Sequence, residues 1–356
     1  MAGWYIVPDP SIRQLNMKAI FFKKPGGLEV LEYGEFLAPK PQKDEALVRV
    51  RTCGLNRLDI WLREDKENAR NIPMPHISGS DVAGVIEEIN GESMLRVGQE
   101  VVLNPAVPCG VCFYCKNGKP CELVKIFGVK NQGGYSEYIT APISQLYPKP
   151  KSISFIEAAA FPLTFLTAWH MLVGRANVQK GETVFIWGAS GGLGSSAVRV
   201  AKYLGAKVIA VAKSEDEAKR IYEIGADEVV IYTKENVENT IKSLTNDLGV
   251  DVVFESVGQK TWHTTLAMLR PFGRVVIAGA TSGDIGHQSL SDLYVRQLSI
   301  LGARMGTKEE FDKVLELVAA GELKPIIDKT FPLKDAAEAQ RRMVEGRHLG
   351  KIVLEI

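Results

Sequence analysis

The chain predicts an α/β fold, a doubly wound parallel sheet joined to a smaller, mainly β domain, and three observations predict it. Between residues 183 and 302 six short apolar runs alternate with helix-like stripes, and such alternation implies a parallel sheet covered on both faces. Before residue 155 the apolar runs are short, broken by Gly, Pro and Asn, with few helical stripes between them. A length of 356 residues can bury two cores.

In order, "KAIFF", "EVLEYG", "ALVRVRTC", "DVAGVIEEI", "QEVVL" and "GYSEYIT" read as strands of a small barrel. "TVFIWG" (183–188) then opens the parallel series, and Leu193, Ala197, Val200, Ala201 and Leu204 after it fall at helical spacing. "KVIAVA", "EVVI", "DVVFE", "GRVVIAG" and "LSILG" continue it as strands, with helices at "EDEAKRIYEIG", around "VENTIKSLTN" and near 260–269. Beyond about residue 305, two helices ("EEFDKVLELVAAG", "KDAAEAQRRMVEG") and a strand "KIVLEI" are expected to return to the first domain. The limits expected are an N-terminal extension at 1–16, a β-rich domain at 17–160, a nucleotide domain at 161–304 and a returning segment at 305–356.

Composition narrows the function classes. The chain is 46% apolar and 24% charged with a net charge of +1, a balance that points to neither a nucleic-acid nor an anionic-membrane partner. No apolar run approaches the roughly 18–20 residues that span a bilayer. The opening "MAGWYIVPDPSIRQLN" lacks a basic start and an apolar core, so a secretory signal is not expected and the cytoplasm is.

"VFIWGASGGLGSSAV" leaves a strand and opens a helix, the context a dinucleotide fingerprint needs. Against G-x-G-x-x-G the positions are Ala189, Gly191 and Gly194, with Gly188, Gly192 and Leu193 completing the turn. Glycines let the backbone approach a pyrophosphate, and the helix start offers free N–H groups. The second strand ends at Ala212, followed by Lys213 and Ser214, with no carboxylate to repel a 2′-phosphate. Lys213 offers an ammonium and Ser214 a hydroxyl, which favours NADP(H). Two other readings stand: Ser214 and Glu217 form a capping box, or Glu215 reaches a ribose and NAD(H) binds. Backbone at Gly279 and Ala280, past a strand's carboxyl end, is expected beside the nicotinamide.

Cys109, Cys112, Cys115 and Cys121 read C-x2-C-x2-C-x5-C. Four thiolates complete a closed tetrahedral zinc shell with no position left for water, so this site is expected to be structural. Unpaired thiols or redox disulfides are the other reading. Cys53 stands apart and reads as a small buried residue.

With "CGLNRLDIWLRE", "GSDVAGVIEEI", "CGVCFYCKNGKPC", "GGYSEYI", "AAAFPLTFLTAWHML", "GASGGLGSSAV" and "GRVVIAG" on the page, the chain resembles the medium-chain dehydrogenase/reductase superfamily from about residue 17 to its end. The resemblance implies a chaperonin-10-like β-barrel substrate domain, a Rossmann domain, a site in the cleft between them, and a homodimer or homotetramer formed by sheet-edge pairing. Zinc alcohol dehydrogenases of that superfamily hold a catalytic zinc through a Cys, a His–Glu pair and a second Cys or equivalent. The matching positions here are Asn56, Ser80, Asp81 and Leu163, and one carboxylate does not hold zinc. "GLNRLDIWLR" is closer to the quinone oxidoreductase branch, which lacks catalytic zinc and uses NADPH, and Asn56 and Asp59 match that branch's active-site pattern. The cysteine loop departs from that branch.

Without a metal, reducing a simple ketone loses several kcal/mol of charge stabilisation. A quinone or an α,β-unsaturated carbonyl spreads the incoming charge, so amide-type donors can hold the oxygen. The expected function is therefore NADP(H)-dependent hydride transfer to such a small-molecule acceptor. Asn56 is expected to donate to the acceptor oxygen and Asp59 to orient Asn56 or nearby backbone. Thr167 matches a threonine that contacts the nicotinamide side in the family, with Thr164 the weaker candidate; the other reading of both is a hydroxyl bonded back into its helix. Arg63 is expected in a structural ion pair, and His76 is a candidate proton donor. The rivals are a zinc alcohol dehydrogenase with unusual ligands (Cys53, His76, Asp81) and a nucleotide sensor without turnover.

Overall fold

The computed structural model describes residues 16–65 and 72–356; all but the last residue of the expected N-terminal extension lies outside them. Six strands form one parallel sheet in the order Glu228–Ile231, Lys207–Ala212, Thr183–Ile186, Val250–Glu255, Leu269–Ile277, Ser299–Gly302. The two innermost strands are apolar because helices cover both faces: Val184, Phe185, Ile186, Val252, Val253 and Phe254 are fully buried. The chain reverses direction of travel across the sheet between Thr183–Ile186 and Val250–Glu255, so a crevice opens at their carboxyl ends. Glu255 closes the latter strand as a buried carboxylate. It accepts from the backbone of Val257 (2.6 Å) and Gly258 (3.0 Å) and the hydroxyls of Thr261 (2.8 Å) and Thr265 (2.7 Å), which fixes the loop beside the crevice.

The β-rich part is built on seven strands. Their order is Ile327–Pro332, Lys351–Glu355, Glu45–Gly54, Asp81–Asn90, Glu100–Leu103, Leu146–Pro148, with Tyr138–Pro142 also pairing with Glu45–Gly54. Alternation buries Ala46, Val48 and Val50 on one face. The tail does return here: Val353 pairs with Gly54, Leu354 with Cys53 and Glu355 with Thr52. Lys351 is thereby carried to the end of the strand that leads into Asn56. The helix Lys308–Ala319 sits instead at the junction of the two sheets. Its Phe311 packs on Tyr147 (4.9 Å between ring centres) and Phe161 (6.1 Å), inside one apolar cluster that runs from Ala83 to Val276.

Some elements differ from the reading above. "EVLEYG" divides into a short 3-10 turn, Leu28–Val30, and a strand, Glu32–Leu37, paired with Asn16–Phe21. "NRLDIWLR" is a helix, Arg57–Arg63, too short to show a full stripe. Ile327–Pro332 forms an edge strand with little apolar content to announce it. The helix near 260–269 ends early, at Ala267, because Leu269 already pairs with Val250.

The turn after Thr183–Ile186 depends on close approach. A Cβ on Gly194 would meet the Gly188 carbonyl oxygen at 2.1 Å, and Gly188 itself takes φ +65°. Gly194→Ala is expected to lower stability by about 1–3 kcal/mol and to weaken nucleotide binding, as read by thermal unfolding with and without NADPH. Ser195→Ala, one residue on, serves as the control.

Candidate active site and metal centre

A cleft of about 1120 Å³ lies over the carboxyl ends of the parallel strands. Gly188, Gly191, Gly192, Leu193 and Gly194 line it from the turn, Thr167 and Gly279 from beside them, and Asn56, Trp61 and Lys351 from the β-rich part. Asn56, Thr167, Gly279 and the glycine turn are thus brought to one cavity, while Asp59 lies outside its lining. Ala189 is fully buried beneath the turn, so it spaces strand from helix and does not line the cleft. Ala280, Lys213 and Ser214 lie outside the lining residues as well. Lys213 gives its ammonium to the Gly346 carbonyl. The Ser214 hydroxyl caps the helix Glu215–Glu223 by accepting the Glu217 N–H, and the Glu217 carboxylate takes the Lys213 N–H at 2.7 Å. Glu215 pairs with Lys234 at 2.9 Å.

Arg57 and His348 also line the cavity, and sequence reasoning did not single out either. Burial lowers the Arg57 pKa from its ordinary value. Burial pushes His348 down to about 4, opposed by Asp328 and assisted by Arg57, Arg342 and Lys213. Its imidazole is therefore neutral at pH 7, with Nδ1 unpartnered among the described residues.

The position aligned with a catalytic metal is filled by side chains. Asp81 is fully buried. Its Oδ1 accepts the backbone N–H of Leu163 (2.8 Å), a free donor in the first turn of the helix Pro162–Trp169. Its Oδ2 accepts from Asn56 Nδ2 (2.9 Å) and from Lys351 Nζ (2.7 Å). The same ammonium donates to Asn56 Oδ1 at 2.7 Å. A buried ion pair of this kind, with its remaining valences hydrogen-bonded, holds together because removing either partner strands a charge, at a cost of about 3–5 kcal/mol. Lys351 is the member of this cluster that the sequence hid: it opens an apolar strand, and nothing local marks its ammonium as buried. Ser80 is buried with its hydroxyl unpartnered among the described residues.

Asn56 does not present a free amide. One of its two amide N–H groups and its carbonyl are committed to Asp81 and Lys351. Asp59 acts on backbone: its Oδ2 accepts the Asn56 N–H (2.8 Å) and the Tyr135 hydroxyl (2.8 Å), while Oδ1 has no partner among the described residues. Burial raises its pKa from 3.8 to about 6, against the Asn56 and Tyr135 hydrogen bonds, which lower it. Thr167 lines the cleft but donates to the Leu163 carbonyl at 2.7 Å, one turn back. Thr164 accepts from Ser196 at 3.0 Å. Arg63 is structural, as expected: it binds Gln340 (2.9 Å), the Gly26 carbonyl and Glu64. His76 hydrogen-bonds the Gly128 carbonyl at 3.0 Å and is pushed to about 4 by burial. It does not line the cleft, so nothing supports it as a proton donor. Cys53 is fully buried, and burial raises its thiol well above the ordinary range.

Among the described residues, only Cys109, Cys112, Cys115 and Cys121 bring three or more ligand atoms together; Cys53, His76 and Asp81 do not converge. Sγ–Sγ separations are 3.9 Å (Cys109–Cys115), 3.9 Å (Cys112–Cys121) and 3.5 Å (Cys109–Cys121). A zinc tetrahedron with Zn–S bonds of about 2.3 Å has edges of roughly 3.8 Å, so the array fits the ion. Backbone N–H groups of Val111 and Cys112 pull the Cys109 thiol down to about 6, while burial and the thiols of Cys121 and Cys112 push Cys115 up to about 12. Four thiols this close cannot all ionise unaided, and a cation at their centre resolves the conflict. The loop runs directly into Val124, Lys125 and Ile126, which form part of the cleft wall.

Two family models match the chain: an alcohol dehydrogenase GroES-like domain over residues 42–151 and a zinc-binding dehydrogenase domain over 192–320. The chain is similar to a quinone oxidoreductase from Pongo abelii, 31% identical over 350 residues that cover 96% of this chain and 98% of the relative. It is also similar to the crystal structure of an NAD-dependent alcohol dehydrogenase, at 39% identity and TM-score 0.90, covering 96% and 100% of the two chains. A third likeness is to a 2-octenoyl-CoA carboxylase reductase in complex with NADP and 2-octenoyl-CoA, at 26% identity and TM-score 0.87, covering 96% and 87%.

Two outcomes follow from this geometry. Because its folded pKa of about 6 lies above the ordinary 3.8, Asp59 costs stability above pH 6, and that cost vanishes as pH falls through 4. Relative to wild type, Asp59→Asn should gain up to about 3 kcal/mol between pH 4 and pH 7 in urea unfolding; a pH-independent difference contradicts the assignment. Metal analysis should find one zinc per chain, and Cys115→Ser should lose it with a lowered melting temperature.

Proposed function

The chain belongs to the medium-chain dehydrogenase/reductase superfamily and is an oxidoreductase of it, and on that premise we propose that it reduces a quinone or an α,β-unsaturated carbonyl with NADPH, without catalytic zinc. The observation that carries this reading is the ion pair at Asp81. The one acidic residue at the aligned metal position gives three of its roughly four acceptor sites to Leu163, Asn56 and Lys351, its charge is matched by the ammonium, and a metal on Oδ2 would have to displace that ammonium.

Bound nicotinamide cofactor supplies the hydride. The chain's own residues bind and orient. The glycine turn and the start of the helix Gly192–Tyr203 receive the pyrophosphate, with Arg57 the cation beside it. Gly279 and Thr167 border the nicotinamide end. Leu58, Trp61, Ile126 and Val129 form an apolar wall opposite, which suits a conjugated acceptor and excludes water. NADPH is favoured over NADH because the second strand ends at Ala212 and is followed by Lys213 and Ser214 with no carboxylate among the three; beyond them Glu217 is turned to the Lys213 backbone and Glu215 to Lys234. Arg57, Lys213 and Arg342 add positive potential around His348. The four cysteines hold one structural zinc that shapes the cleft wall. We also propose a homodimer, with a homotetramer as the larger alternative, through the edge strand Ser299–Gly302, which leaves Ile300 exposed.

The alcohol dehydrogenase relative keeps a second reading in view, oxidation of a simple alcohol. The test is a panel followed by NADPH absorbance. Enones and quinones should be turned over, simple ketones at least about a hundredfold more slowly in kcat/KM, and NADH less well than NADPH. Faster turnover of simple ketones, with two metals per chain, would overturn the proposal.

A further inference from the structure

We infer that Lys351 and Asn56 together form an oxyanion-binding pair, one cationic donor and one neutral donor aimed into the cleft. This rests on the reading that the site reduces a conjugated carbonyl, and it names the groups that receive the charge.

The inference comes from counting hydrogens. An ammonium carries three N–H bonds and a primary amide two. Among the described residues, Lys351 Nζ spends one on Asn56 Oδ1 (2.7 Å) and one on Asp81 Oδ2 (2.7 Å). Asn56 Nδ2 spends one on Asp81 Oδ2 (2.9 Å). Each nitrogen keeps one hydrogen, and both side chains line the cavity. Buried donors held in place need no reorganisation when charge develops, which makes them more effective than water.

Lys351 is also fixed to the cofactor turn. A Cβ on Gly192 would meet Lys351 Cδ at 2.9 Å, so the lysine stem lies across that glycine. The preceding Gly350 donates its N–H to the Ser190 carbonyl at 2.8 Å. The ammonium is therefore tied on one side to the turn that receives the cofactor and on the other to Asp81. Asp81 keeps the pair electrically neutral in the resting protein and sets both donors' directions; it is a positioning residue.

The step balances as follows. Hydride from NADPH forms a C–H bond at the β-carbon, the C=C π bond breaks, and an electron pair moves onto the carbonyl oxygen. Lys351 and Asn56 hydrogen-bond that oxygen. The enolate takes a proton at the α-carbon from hydronium on leaving the cleft for solvent, the C=O bond re-forms, and the sum consumes NADPH, enone and H+ and gives NADP+ and the saturated carbonyl.

The test uses 4-nitrophenol, whose phenolate absorbs visible light, as a stand-in for the oxyanion in the wild-type complex with NADP+. The pair should favour the bound phenolate and lower its apparent pKa by about one unit or more, a tenfold preference. Asn56→Ala should reduce this shift, and the double variant Lys351→Met/Asp81→Asn, which removes both buried charges and leaves only the Asn56 N–H, should reduce it further, each read in the complex saturated with NADP+. Equal shifts in wild type and variants, or no phenolate binding to wild type, would overturn the pair. A failed acceptor panel would instead remove the functional reading and leave the phenolate shift standing.

Discussion

A buried ammonium needs a buried anion, and in this chain that requirement joins distant segments at one point. Lys351 belongs to the last strand, Asp81 to the second strand of the seven-stranded sheet in chain order, and Asn56 to the turn between a strand and a short helix. Antiparallel pairing of Val353 with Gly54 and of Gly54 with Asp81 brings the three together. Asp81 then also takes a free N–H at the start of Pro162–Trp169, so the same carboxylate anchors the helix that borders the cofactor turn. Loss of the lysine would leave a desolvated charge, which is why the arrangement behaves as a unit.

Around that point the two sheets share a core and leave a cleft between their functional edges. The parallel sheet supplies a glycine turn shaped by steric closeness, as Gly188 and Gly194 show. The β-rich part supplies the charged group and an apolar wall. The cysteine loop runs into that wall at Val124, so a metal held there would act on substrate through shape alone. One metal position is thus a four-thiol array that fits an ion, while the position aligned with the other is occupied by an ion pair.

The parallel sheet was readable in the sequence because its inner strands are buried on both faces and its helices carry a regular stripe. The cysteines were readable because thiolates at short spacing have few uses, and the glycine turn because it stands between a strand and a helix. Asn56 was located through resemblance, yet its partners were not: local sequence does not tell that its amide lies between Asp81 and Lys351. Lys351 is nearly three hundred residues away in the chain, and only strand pairing reveals it. Lys213 and Ser214 both have intramolecular partners: the Ser214 cap was legible in the sequence, whereas the Gly346 carbonyl that Lys213 binds was not. Thr167 likewise spends its hydroxyl on its own helix.

The central claim is that an ammonium, and not a metal, stands beside Asp81. Anomalous scattering at the zinc edge from crystals grown with zinc present tests it most directly. The account predicts a single peak per chain, enclosed by Cys109, Cys112, Cys115 and Cys121, with Lys351 within hydrogen-bond distance of Asp81. A second peak bonded to an Asp81 oxygen, with the lysine displaced, would contradict it.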